Sequence, residues 1–182
     1  MRQNAIVPTG VERTFGADEI IVSKTDPQGR LTYVNPLFVE ISGYTERDLI
    51  GQPHNIIRHP DMPRSVFAQV WNRIAAGDEL FAYIVNLSAN GDHYWVLAHV
   101  TPTFNAAGNI VGYHSNRRTA SAMAISRIQE IYRQLLAEER GHTQTPAALA
   151  AGTARLTAIL EEAGMSYDEF VWSVARAEEA AA

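Results

Sequence analysis

GQPHNIIRHPDMP, residues 51–63, is the stretch on which the fold turns. It packs histidine, arginine, histidine and aspartate between prolines, and polar groups crowded together near a core need partners there. Prolines fix their own φ and restrict the residue before them, so Arg58, His59 and Asp61 are expected on a stiffened turn between helices. Further along, Asn90-Gly91 stands inside FAYIVNLSANGDHYWVLAHVTP, residues 81–102, a strong signal for a β-hairpin with a type I′ turn. Together the two segments predict a pocket wall and its floor.

Working outward, residues 19–24 read as a strand, Asp26-Pro27-Gln28-Gly29 as its turn and residues 31–34 as the returning strand. Asn35-Pro36 places a capping side chain before a helix-starting proline, and the apolar face of Leu37, Phe38 and Ile41 stops near Gly43. Thr45 with Asp48 caps a second short helical turn ending at Gly51. A longer helix runs from Pro63 to Gly77 on Val66, Phe67, Val70, Trp71 and Ile74. Three more strands follow at residues 80–88, 92–104 and 109–118. The economical closure is an α+β fold, a five-stranded antiparallel sheet with helices on one face.

Flanking this core, residues 1–18 read as an N-terminal arm in which Ile6, Val7 and Phe15 can pack on a neighbouring surface. Residues 119–182 form a C-terminal helical extension. Ile125, Ile128, Ile131, Tyr132 and Leu135 make one apolar stripe, Thr145-Pro146 opens a second helix closed by Gly164, and Ser166 with Glu169 caps a third. The stripe needs a cover, either a second copy or partner, or the outer face of the sheet.

The chain has 182 residues, 46% of them hydrophobic, enough for one well-cored domain and an appendage. A net charge of −5 and a pI of about 5.6 argue against a nucleic-acid partner. No apolar run is long enough to insert in a membrane and the start has no signal pattern, so a cytoplasmic location is expected. Cysteine is absent, which removes disulfides, thiolate nucleophiles, Cys-ligated metals and any cysteinyl–flavin adduct. No phosphate loop, GxSxG or HExxH motif points to an enzyme.

The blocks TDPQGRLTYVN, FVEISGYTERDLIGQPHNIIRHPDMP, FAQVW, NGDHYWV and GYHSNRR, lying within residues 19–118, resemble the flavin-binding PAS domains of the bacterial aerotaxis and energy-taxis sensors. The resemblance implies a PAS fold that holds FAD noncovalently and signals redox, oxygen or energy status to a chemotaxis transducer or other signalling protein, with a homodimer as the expected assembly. It puts Arg58, His59 and Asp61 on the flavin-associated motif and Asn86 where an amide faces the flavin ring. Trp71 and Trp95 match aromatic positions, and Phe81 offers aromatic surface on a strand where the family commonly has tryptophan. Arg117 joins Asn86 as an expected relay of the redox signal. Two rivals stand beside this reading: a haem-binding PAS gas sensor using His54, His59, His99 or His114, and a cofactor-free protein-interaction module.

Overall fold

The structure, a computed structural model, describes residues 6–179; the first five residues of the expected arm and the last three of the extension lie outside it. Five strands form one antiparallel sheet in the order β2-β1-β5-β4-β3, with β1 at Ile21–Thr25, β2 at Leu31–Val34, β3 at Leu80–Leu87, β4 at His93–Phe104 and β5 at Ile110–Thr119. Between β2 and β3 lie α1 (Pro36–Ser42), α2 (Glu46–Leu49), a 3₁₀ turn (His54–Ile57) and α3 (Arg64–Ala75). The extension supplies α4 (Ala122–Arg140), α5 (Thr145–Ala163) and α6 (Tyr167–Glu179).

Local chemistry explains most boundaries. The Asn35 Oδ1 accepts from the backbone N–H of both Phe38 and Val22, so one side chain caps α1 and ties it to β1. Thr45 and Asp48 form a reciprocal capping box on α2. The first strand begins later than the sequence reading because the Glu19 carboxylate accepts the Gly16 N–H at 2.6 Å and holds a turn there.

The Asn90-Gly91 hairpin forms, but not with the expected type I′ turn. That turn needs φ > 0 at both central residues, whereas Gly91 has φ 92° and no non-glycine residue among those described has positive φ. Ser88 N–H bonds to Asp92 O at 2.7 Å, and the Asn90 side chain accepts from Asp92 N–H, giving a three-residue loop with glycine at its left-handed position. The arm seals this loop, Thr9 N–H bonding to Gly91 O at 2.8 Å. A Cβ at Gly91 would lie 2.3 Å from Val7 O, so only glycine admits the arm.

Strand register sorts the side chains. Pairing of Ile21 with Arg117, Ala98 with Arg117 and Asn86 with Tyr94 puts Ser23, Asn86, Tyr94, Ser115 and Arg117 on the face covered by α1 to α3. Phe81, Tyr83, Trp95 and His99 occupy the opposite face. There the Tyr132 hydroxyl of α4 donates to Tyr83 O, its ring lies 5.9 Å from Trp95, and Trp172 of α6 lies 4.7 Å from Phe81. The stripe expected to need a cover therefore finds one within its own chain: Ile128, Tyr132 and Leu135 are buried. The reason is reciprocal, since the outer face of β3 and β4 carries aromatic surface that also needs covering.

Candidate functional site

The site grows from Arg117. It is 2% exposed, and its Nη2 donates to Ser23 Oγ at 2.8 Å and to His54 Nε2 at 2.5 Å while the guanidinium lies 5.3 Å from the Phe38 ring centre. Among the described residues no carboxylate pairs with it. Burial pushes its pKa down to about 10, which leaves it charged at neutral pH. A buried cation without a counter-ion is costly, and an electron-rich or anionic group placed beside it would lower that cost.

His54 is its acceptor and must therefore present an unprotonated Nε2. Burial, with the Arg117 charge beside it, pushes its pKa down to about 3. Its ring meets Phe38 edge-on at 6.2 Å, and its backbone N–H bonds to Gly29 O, which fastens the 3₁₀ turn to the first hairpin. At Gly29, with φ 76°, a Cβ would lie 2.6 Å from the Trp71 ring, so glycine lets the turn close over that indole.

Arg58 enters from the other side. Its backbone forms an isolated bridge with Asn86, its Nη2 donates to Met62 O at 2.7 Å, and its guanidinium lies over Phe67 at 5.2 Å. Burial and the neighbouring Arg64 charge push its pKa down. Between these groups lies a cavity of about 50 Å³, walled by Met62, Phe67, Trp71, Ile84 and Val100. Asn86 Nδ2, Arg58 Nε, Arg117 Nη1, Thr25 Oγ1 and Ser115 Oγ border it, buried and without hydrogen-bond partners. Such orphaned groups are uncommon in native folds and each needs a reason.

The sequence-predicted residues thus divide. Arg58, Asn86, Trp71 and Arg117 come together around the cavity. His59 and Asp61 do not line it: His59 Nδ1 accepts Asp61 N–H at 3.0 Å, its ring lies 5.8 Å from His93, and Asp61 pairs with Arg140 of α4 at 2.8 Å. Phe81 and Trp95 correct the expectation outright. Strand alternation turns both to the outer face, where Phe81 stacks on His99 at 4.1 Å and Trp95 meets Tyr132. Of the haem candidates, His99 sits on that outer face bonded to Glu79, His114 bonds to Asn116, and His54 has committed Nε2 to Arg117.

Sequence reasoning passed over Glu139. From α4 its buried carboxylate accepts the backbone N–H of Arg64 and Ser65 at 2.9 Å each and the Ser65 hydroxyl at 2.8 Å, capping α3 in place of a local residue. A Cβ at Gly152 would lie 2.6 Å from this carboxylate, so α5 approaches through a glycine. The local N-cap of α3 is Pro63, which offers no side-chain acceptor, and that vacancy was the one legible signal.

This arrangement, a five-stranded sheet in the order 2-1-5-4-3 with short helices enclosing an apolar-walled cavity edged by buried polar atoms, is a PAS-type fold, and residues 31–117 match the family described as PAS fold. The chain is 42% identical over 118 residues to the aerotaxis receptor of Escherichia coli (strain K12), covering 65% of this chain and 23% of that protein. It is 26% identical over 102 residues to a nitrogen fixation regulatory protein of Klebsiella pneumoniae, covering 56% of this chain and 21% of that one. The chain thus spans about a quarter or less of these curated relatives. In fold it matches the light-state LOV domain of the blue-light photoreceptor Aureochrome1, with a TM-score of 0.54 at 19% identity over 64% of this chain and 91% of the other. No helix among the described residues is long and apolar enough to cross a membrane.

Proposed function

We propose that this chain is a cytoplasmic, non-enzymatic PAS sensor that holds FAD noncovalently in the Arg117 cavity and reports redox, oxygen or energy status to a chemotaxis-type signalling protein. The observation that carries the reading is Arg117, a buried cation that no carboxylate among the described residues pairs with, ringed by unpartnered donors and acceptors on one sheet face. A flavin edge of alternating carbonyls and ring nitrogens suits that set. The similarity to the aerotaxis receptor supplies the signalling context, and the homodimer and the transducer partner rest on the same resemblance.

The cavity of about 50 Å³ is far below the several hundred typical of ligand sites, so admitting a ring system requires wall side chains such as Met62 and Trp71 to give way. Both belong to the segment carrying the 58–63 turn and α3, which makes that segment the responsive wall. A bound flavin supplies reversible electron transfer with accompanying changes of charge and protonation. Arg117 stabilises negative charge on its side of the cavity, and the Asn86 amide can donate or accept as the facing atom changes. His54 stays neutral and holds the guanidinium in place. Through the Arg58–Asn86 bridge a change at the sheet reaches the turn, and through Glu139 and Arg140 it reaches the extension.

Purified protein should be yellow and release FAD on denaturation, identified by mass. Arg117→Met should lower FAD affinity at least tenfold while the melting temperature of the flavin-free protein changes little. A colourless protein that fails to take up added flavin ends this reading, and a Soret band replaces it with haem.

A further inference from the structure

Beside the Arg117 cavity lies a second, larger space. It measures about 520 Å³ and runs between the 58–64 turn and the junction of α4 with α5. Arg58 and Met62 border both spaces. Its walls carry the guanidinium groups of Arg58, Arg64 and Arg140, with His59 and His142 beside them, a concentration of basic side chains in a chain of net charge −5. The one carboxylate lining it, Glu139, is already spent on the first N–H groups of α3 and on Ser65. Among the described residues none bonds or pairs with the Arg64 guanidinium, and its charge disfavours that of Arg58. At the opposite wall α5 begins at Thr145, and its N-cap Gln144 makes no side-chain bond, so the Thr145 and Ala147 N–H groups receive no cap, Pro146 having none to offer, at the positive end of a 19-residue helix.

Resting on the flavin reading above, we infer that the C-terminal extension completes the cofactor site: the phosphate-bearing end of the flavin nucleotide occupies this cleft, held by Arg58, Arg64 and Arg140. Three arginines and an open helix N-terminus match a diphosphate in charge and donor geometry. The space is of the size ligand sites take, whereas the cavity beside Arg117 has no room for a nucleotide tail. Arg140 bonds to the exposed Asp61 at 2.8 Å, which holds it at the cleft while leaving its other donors available. Because Arg140 and the start of α5 belong to the extension, nucleotide binding and docking of the extension stabilise each other reciprocally. A dinucleotide therefore acts as a clamp between sensor and extension, and riboflavin does not.

The test is a fluorescence titration of the full chain with FAD, FMN and riboflavin, for the wild type and for Arg64→Gln, Arg140→Gln and Arg140→Lys. FAD Kd should rise about tenfold in each Gln variant, FMN Kd should rise less, riboflavin Kd should stay within about twofold, and Arg140→Lys should keep most FAD affinity. FAD, but not riboflavin, should slow amide exchange across residues 136–148. Equal losses for FAD and riboflavin, or no loss for FAD, overturn the cleft assignment while leaving the flavin cavity standing. A wild-type chain that binds none of the three overturns the flavin reading itself.

Discussion

Asn86 and Phe81 belong to one strand, β3, and serve opposite faces of it. The Asn86 amide is 3% exposed with no partner for its Nδ2, on a face where Arg117, Ser115 and Thr25 also keep unpartnered atoms. Phe81 stacks on His99 and meets Trp172, on a face closed by α4 and α6. The inner face leaves polar groups unsatisfied around a small space, and the outer face leaves little to satisfy. What separates them is the free energy each has left to give: a ligand can repay buried orphan groups, whereas a packed aromatic seam has nothing further to gain from one. On the proposed reading binding draws on the inner face, while the outer face packs against α4 and α6 of the extension.

The contrast is sharpest in its response to pH. The His54 pKa of about 3 in the folded chain lies below its ordinary 6.5, so the unfolded chain binds the extra proton between those values. The stabilisation is complete above about pH 6.5 and is lost as pH falls toward 3. Urea denaturation at pH 7 and pH 4 should show wild type losing about 3 kcal/mol more than His54→Gln, whose amide oxygen still accepts from Arg117. Equal losses in the two proteins would mean the inner face is not pH-sensitive through this ring.

Outer-face truncation should act on stability alone. Leu135 is fully buried on α4, and Leu135→Ala should cost about 3 kcal/mol in denaturation while leaving the riboflavin affinity of the folded chain within about twofold. Parallel loss of both would break the division between faces and make extension and sensor one energetic unit at this position. Smallest is Tyr132→Phe, which removes the hydroxyl bond to Tyr83 O and should lower stability by about 1 kcal/mol with the spectrum of the bound flavin unchanged.

What the chain's residues determined unaided was local. Asn35, Thr45, Asp48, Gly43, Gly164 and the Ser166–Glu169 box act on backbone groups within a few positions, so helix starts and stops followed from side-chain chemistry, and the alternating apolar runs gave all five strands. From the crowded 51–63 segment His54, Ile57, Arg58 and Met62 line the same cavity as Asn86, Trp71 and Arg117. Even at this range the Asn90-Gly91 turn type was decided by the loop and the arm packed on it, as the geometry at Gly91 shows. Tertiary structure alone decided which face each strand residue serves. Phe81 and Trp95 were aromatic in the right strands yet one position out of phase with the cavity, because side chains alternate with period two and register is set by distant pairing. It also decided that no carboxylate among the described residues pairs with Arg117, that Glu139 caps a helix far from it in sequence, and that the extension covers the outer face. Those outcomes depend on what packing brings near, and burial converts an ordinary charged residue into either a structural clamp or an unpaid charge that a ligand must answer.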